Sequence, residues 1–154
     1  MNASSSCCDP KAMAVALARW CVGMILLVSG IGKLSMGVGS FAQMLIPMYE
    51  KTWLPATLVA AYGHAIPLVE VILGAFLILG LFRNVTLFVA GMFFITLTFG
   101  QIVLAMSGKM ESIAVVFQNM VYTFFTAGLL FLHEHDRWTI PCRCEPGTRP
   151  EGQE

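Results

Sequence analysis

The stretch NVTLFVAGMFFITLTFGQIVLAMSG, residues 84–108, contains no charged side chain and stands between Arg83 and Lys109. A helix needs about 20 predominantly apolar residues to cross the hydrocarbon core of a bilayer. This stretch has that length, and it lacks the alternation of apolar and polar residues that marks a strand of a membrane barrel. It therefore predicts a transmembrane helix.

Three further segments have the same apolar character, although two of them contain charges. The first contains Arg19 and Lys33, and the second contains Glu70. The four predicted spans lie at about 13–34, 58–82, 84–107 and 112–133. The sequence therefore predicts an all-α membrane protein, an antiparallel bundle of four transmembrane helices.

The composition excludes several classes of protein. Of 154 residues, 57% are hydrophobic and 12% are charged, whereas soluble domains carry about 25% charged residues. A small soluble domain cannot bury so much apolar surface, and a disordered chain would be richer in charge. The net charge of zero provides no basic surface for nucleic acid. We therefore expect membrane lipids as partners.

The flanks of the spans predict an orientation. With four spans, both termini and the second loop share one side of the membrane. That side holds six Lys and Arg residues and the other side holds three. Because Lys and Arg are enriched in cytoplasmic loops, we expect both termini in the cytoplasm and the spans in the inner or plasma membrane.

The regions outside the spans differ in character. We expect a polar N-terminal segment at 1–12 and a flexible polar tail at 134–154, which is rich in Pro, Gly and acidic residues. The first loop is apolar, with Phe41, Met44 and Met48 at helical spacing. This pattern fits either a short amphipathic segment at the membrane interface, kinked or broken at Pro47, or a plain loop packed on the bundle.

Glu70 is the most informative polar residue within the spans. A carboxylate in hydrocarbon must face the bundle, pair with a cation or take up a proton. Arg19 and Lys33 lie near one stripe of the first span and are the candidate ion-pair partners. The sequence leaves open which cation meets Glu70, and it also allows both to extend to the headgroups.

Other polar side chains define a candidate ligand wall. Its members are His64, Gln101, Asn119, Tyr122 and Thr126. Such residues commonly form hydrogen bonds between membrane helices. If they converge with Glu70, however, they form a site for a quinone head group or a proton relay.

A separate candidate site follows the fourth span. His133, His135, Cys142 and Cys144 could together hold a soft metal ion, although their spacing matches no standard zinc pattern. Cysteines beside a membrane are also sites of acylation. In the inverted orientation, Cys142 and Cys144 could instead take part in thiol–disulfide exchange.

Two short motifs resemble the DoxX-like superfamily of four-helix membrane proteins, which includes DoxX, DoxD and MauE types. The motifs are SGIGKL at 29–34 and PLVEVILGAFLILGLF at 67–82, preceded by an arginine early in the first span. The matching positions are Arg19, Gly30, Lys33, Leu34, Glu70, Gly74 and Gly80. The resemblance covers residues 14–132.

The resemblance implies a membrane protein that takes part in redox chemistry. Members include small subunits of thiosulfate:quinone oxidoreductase and a methylamine-utilisation protein linked to disulfide formation in its partner enzyme. We therefore expect an integral membrane subunit of a redox-associated complex, with the other subunits of that complex as partners, quinone bound in the bundle as its cofactor and protons relayed through Glu70. The alternative is a non-catalytic accessory subunit or assembly factor. Because the sequence contains no haem-ligand pair within the spans, cluster motif or dinucleotide fingerprint, we do not expect catalysis by this chain alone.

Overall fold

Five α-helices form most of residues 10–132, the part of the chain that this computed structural model describes. They are α1 (Pro10–Ser35), α2 (Val38–Tyr49), α3 (Ala56–Leu79), α4 (Arg83–Met106) and α5 (Glu111–Phe131). Residues 10–132 contain no strand. Four of the helices, α1, α3, α4 and α5, are long and apolar enough to cross a membrane. The predicted all-α bundle with four spans is confirmed.

The loop after the first span contains a helix of its own. Gly37, at a φ of 91°, makes the turn between α1 and α2, in a backbone region that glycine adopts without strain. Pro47 lies inside α2, close to its end, so the proline does not break the helix. Of the two interpretations of this loop, the helical segment is the one that the structure contains.

The spans associate as two closely packed pairs, α1 with α3 and α4 with α5, while contacts between the pairs are sparser. Glycines bring α1 and α3 together. A Cβ atom on Gly74 would lie 2.6 Å from the backbone nitrogen of Leu27 and 2.8 Å from the carbonyl oxygen of Gly23. Small residues allow such backbone contact between membrane helices.

The interior and the outer surface of the bundle are both apolar. Leu26 and Leu77 are buried between α1 and α3, and Ala90 and Leu129 are buried between α4 and α5. Many large apolar side chains also face outwards along every span. Such a surface suits hydrocarbon, because lipid tails solvate it without the cost that water would impose. The protein is therefore built to lie in a membrane, in contact with lipid.

Candidate functional site

A buried ion pair joins α1 to α3. The Lys33 ammonium donates to both carboxylate oxygens of Glu70, with Nζ 2.5 Å from Oε1 and 2.6 Å from Oε2. The same ammonium donates to the Ser29 hydroxyl at 2.8 Å. The Glu70 side chain is 3% exposed and that of Lys33 is 22% exposed. Each of the two charges is thus neutralised by the other, as a charged group inside a membrane requires.

Close packing brings the two charges together. Glu70 lies fourteen residues after Ala56, the first residue of α3, which places it about 21 Å along that helix and near the middle of the span. A Cβ atom on Gly30 would lie 2.9 Å from the Cβ of Glu70, so only a glycine permits this approach. From α2, the ring of Phe41 adds a cation–π contact, with its centroid 5.6 Å from the Lys33 ammonium.

Arg19, the other candidate partner of Glu70, binds elsewhere. Its Nη1 donates to the carbonyl oxygen of Leu77 at 2.6 Å, and the residue is 1% exposed. The Leu77 carbonyl is available because the amide of Leu81 donates to Phe76 instead. Gly80 ends α3 at a φ of 71°, where a Cβ would collide with the Arg19 guanidinium. Arg19 therefore caps the negative end of the α3 dipole.

The positions of Arg19 and Lys33 along α1 explain this division of roles. They are separated by fourteen residues, which is about 21 Å of helix. Since α1 and α3 run antiparallel, the earlier cation meets the C-terminal end of α3 and the later cation meets its middle. Glu70 therefore pairs with Lys33 and not with Arg19.

A cavity of about 490 Å³ opens beside the ion pair, and all five helices contribute to its walls. The walls are mainly apolar, with side chains such as Leu26, Phe41 and Leu97. Its polar groups besides the ion pair include Ser29, Tyr49, Tyr62, Gln101, Asn119 and Tyr122. An apolar cavity with a few convergent polar groups is the usual form of a small-molecule site.

The structure brings three of the five predicted wall residues to this cavity. Gln101, Asn119 and Tyr122 line it. His64 does not, because it is exposed and its Nδ1 lies 2.7 Å from the carbonyl oxygen of Ala60 in its own helix. Thr126 is buried against Gly91 of α4 and donates to the carbonyl oxygen of Thr123 at 2.8 Å. His64 is excluded from the cavity by the face of α3 on which it lies, whereas Thr126 shares a face of α5 with Asn119 and is excluded because it lies about 10 Å further along that helix.

Two tyrosines that line the cavity, Tyr49 and Tyr62, were not predicted from the sequence as ligand residues. The hydroxyl of Tyr62 lies 2.6 Å from the Thr96 hydroxyl across α3 and α4. Tyr62, Ile66 and Glu70 all line the cavity, and their spacing of four residues was a signal in the sequence. Tyr49, by contrast, suits a membrane interface by composition, and only the fold of α2 turns it towards the cavity.

Tyr49 supplies a neutral hydrogen-bond donor, whereas the Tyr62 hydroxyl already donates to that of Thr96, which itself donates to the carbonyl oxygen of Phe93. Burial raises the pKa of the Tyr49 phenol above its usual 10.0, and neighbouring Tyr62 raises it further. Tyr49 therefore keeps its proton at physiological pH. Its hydroxyl lies over Gly100 of α4, where an added Cβ would be 3.1 Å from it. The glycine thus leaves space for the phenol at this end of the cavity.

A second hydrogen bond orders the α5 wall. Gln118 Nε2 donates to the Tyr122 hydroxyl at 2.8 Å, and the ring of Tyr122 lies 5.4 Å from that of Phe94 on α4. The Gln118 amide on α5 and the Phe94 ring on α4 thus both hold the Tyr122 side chain in place. Tyr122 is therefore positioned before any ligand arrives.

The proposed metal ligands His133, His135, Cys142 and Cys144 lie outside the described residues. Between residues 10 and 132, no group of three or more His, Cys, Asp or Glu side chains is arranged to hold a metal ion. The chemistry of the described site rests instead on a lysine, a glutamate, phenols and amides. This set can donate hydrogen bonds and exchange a proton beside an apolar space.

Comparison with known proteins identifies one family. The family model described as "Methylamine utilisation protein MauE" matches residues 11–112, a range that includes Arg19, Lys33 and Glu70. No curated protein and no solved structure matches the chain. The MauE part of the resemblance is thereby confirmed, whereas the wider DoxX-like assignment stays a prediction.

Proposed function

The chain belongs to the MauE family, and from that premise we propose that it is a membrane subunit of a redox complex that binds quinone beside Lys33 and Glu70. The family and the four spans identify it as an integral membrane protein of a redox-related system. The single observation that carries the finer proposal is the Lys33–Glu70 pair on the wall of the 490 Å³ cavity.

The residues of the cavity fit the chemistry of a quinone head. Its flat ring needs apolar walls, and its two carbonyl oxygens need hydrogen-bond donors. Leu26 and Phe41 are among the apolar wall residues, and the Tyr49 and Tyr122 hydroxyls and the Asn119 amide are among the available donors. The volume falls within the range of about 300–1,000 Å³ that holds most small ligands.

A bound quinone accepts two electrons and two protons to become a quinol. In the proposal, Glu70 takes up and passes on protons, while Lys33 holds the carboxylate in position and balances its charge. Tyr49 and Tyr122 orient the head by donating to its oxygens. The electrons come from a partner protein of the same complex, whose dithiol is oxidised to a disulfide.

The orientation in the membrane is part of the proposal. The cavity lies towards the side that carries α2, and α1 reaches that side at its C-terminal end. The Lys and Arg bias of the flanks favours cytoplasmic termini. The quinone site then lies in the half of the bilayer that faces away from the cytoplasm.

Quinone content tests the proposal directly. The protein is purified gently from its own membrane, and extracted quinone is measured as moles per mole of protein. We expect near-stoichiometric quinone in the wild type and a loss of about tenfold in Glu70→Gln, since the neutral amide gives up the charge-assisted hydrogen bonds that hold the Lys33 ammonium beside the cavity, each worth about 1.5–3 kcal/mol. Thr126→Val is the matched control, because it removes a buried polar group that does not line the cavity.

The result also separates the accessory alternative from the quinone site. Quinone-free wild-type protein that co-purifies with a stoichiometric partner would contradict quinone binding and favour an assembly role. In that case Glu70→Gln should reduce the amount of protein or complex. Equal quinone content in wild type, Glu70→Gln and Thr126→Val would show that the ligand does not bind beside the ion pair.

A further inference from the structure

We infer that the tail of the quinone leaves the cavity through a gap bounded by α1, α2 and α5, so that the ligand enters sideways from the bilayer. This inference rests on the proposed function and specifies its ligand as a long-tailed, membrane-dissolved quinone. Three residues define the gap, Ile25 on α1, Met44 on α2 and Val115 on α5.

The cavity is too small to enclose the whole tail. The cavity of about 490 Å³ accommodates a substituted ring and the beginning of a tail. A polyprenyl chain of several units extends far beyond a space of that volume. Because the chain is apolar, its remainder must leave through an apolar opening that leads to lipid.

The three side chains at the gap line the cavity and are also exposed on the outer surface of the bundle. Ile25 is 40% exposed, Met44 is 50% exposed and Val115 is 39% exposed, although all three line the cavity. A side chain can face a cavity and the exterior only at a mouth. All three are apolar, so the mouth offers an isoprenoid chain the same environment as the lipid around it.

The helices around the gap pack only sparsely against one another. α2 packs against α3 and much less against α1, and α1 meets α5 only sparsely. Leu58 and Phe99, on the other side of the cavity, are also exposed lining residues. That side, however, is crossed by the hydrogen bond between Tyr62 and Thr96, and Trp53 packs edge-on against Phe99. The α1–α2–α5 gap is therefore the more open path.

Tryptophan substitutions at the gap test this path. The variants are Val115→Trp and Ile25→Trp, which narrow the mouth without touching the ion pair. Their matched controls are Val121→Trp on α5 and Ile31→Trp on α1, which are exposed positions outside the cavity lining. Each protein is placed in nanodiscs that contain either a benzoquinone with a single isoprene unit or one with the same head and a long polyprenyl tail. Bound quinone is then measured after the protein is separated from free lipid.

We expect the gap variants to lose about tenfold in affinity for the long-tailed quinone, because the tryptophan ring occupies the path that the tail takes to the lipid. Binding of the short-tailed quinone should stay within twofold of the wild type, and the control variants should bind both ligands normally. Equal binding of the long-tailed quinone by gap and control variants would overturn the inferred path while leaving the proposed function intact. A wild type that binds neither quinone would overturn both.

Discussion

Glu70 has lost nearly all contact with solvent, and Lys33 is the cation that compensates for this loss. Both members of the pair line the cavity, where a small ligand can reach them. Breaking a buried pair leaves an uncompensated charge, which costs more than the intact pair contributes. At the scale of single residues, stability and the proposed chemistry therefore depend on the same two side chains.

Replacement of Lys33 by an uncharged residue tests how far stability depends on the ion pair. We expect Lys33→Met to lower the free energy of unfolding by about 3 kcal/mol, the lower end of the range for buried pairs, because Lys33 is 22% exposed. The double variant Lys33→Met with Glu70→Leu should recover most of the loss, since it removes both charges. Unfolding in mild detergent, followed by circular dichroism, measures both. A double variant as unstable as the single one would contradict this account.

The glycines between α1 and α3 make a second prediction at this scale. Gly74→Ala places a methyl group within 2.9 Å of backbone atoms of Gly23 and Leu27. Overpacking of this kind costs about 1–3 kcal/mol, so we expect a lower unfolding temperature. Gly32→Ala is the control, because nothing lies within 4 Å of its added Cβ. If the two variants have the same unfolding temperature, α1 and α3 do not pack through Gly74.

α2 is the element that completes the cavity. It contributes Phe41 beside the Lys33 ammonium and Tyr49 near Gly100 of α4. Its anchor is a close contact with α3, where a Cβ atom on Gly63 would lie 3.0 Å from the Cα of Ala42. A short helix of twelve residues has little stability of its own. Its order therefore depends on packing against α3.

Displacement of α2 should be visible in hydrogen exchange. We expect Gly63→Val to force α2 away from α3 and to speed amide exchange in α2 by about tenfold. This change corresponds to a decrease of about 1.4 kcal/mol in the free energy of local opening of α2. Amides of α4 and α5 should be unaffected. Ala65→Val, on the exposed side of α3, is the control. Unchanged exchange in α2 of the Gly63 variant would mean that this contact does not hold the helix.

The buried phenol of α2 predicts a dependence on alkaline pH. The pKa of Tyr49 is raised by burial and by Tyr62, so the folded state holds this proton more tightly than the unfolded state does. The resulting stability is fully present below pH 10.0, the unfolded pKa, and is lost as the pH rises through the folded pKa. Tyr49→Phe removes this group, so the difference in unfolding temperature between the two proteins should change only above pH 10.0. A difference that stays constant at high pH would refute the role of burial.

The two helix pairs determine the shape of the bundle that residues 10–132 form. Each pair, α1–α3 and α4–α5, is tightly packed, and the sparser contact between pairs leaves space for the cavity. α2 covers that space from one side of the bundle. The cavity is thus a property of the assembled bundle and of no single helix.

Orientation in the membrane is a prediction at this scale. In a variant without native cysteines, Asn84→Cys lies in the first turn of α4, beside the turn that follows α3, and Lys109→Cys lies between α4 and α5. A maleimide that cannot cross membranes should label Lys109→Cys in intact cells and Asn84→Cys only after permeabilisation. The reverse pattern would place both termini outside the cytoplasm and would give the tail cysteines an oxidising environment.

The sequence by itself determined the four spans and the inward position of Glu70. Both follow from local physics, since a span needs only sufficient apolar length and a carboxylate in hydrocarbon needs a partner wherever it lies. The polar residues Gln101, Asn119 and Tyr122 were also recognisable as candidates, because amides and phenols are uncommon in such helices.

The tertiary structure alone decided which cation meets Glu70, where α2 lies and which polar residues face one space. Lys33 and Arg19 share a stripe of α1, and only the register of α1 against α3 separates their roles. His64 was excluded, and Tyr49 was included, by the rotation of each helix about its axis, whereas Thr126 was excluded by its depth along α5. Register and rotation arise from contacts between distant segments, which helical periodicity within one segment does not encode.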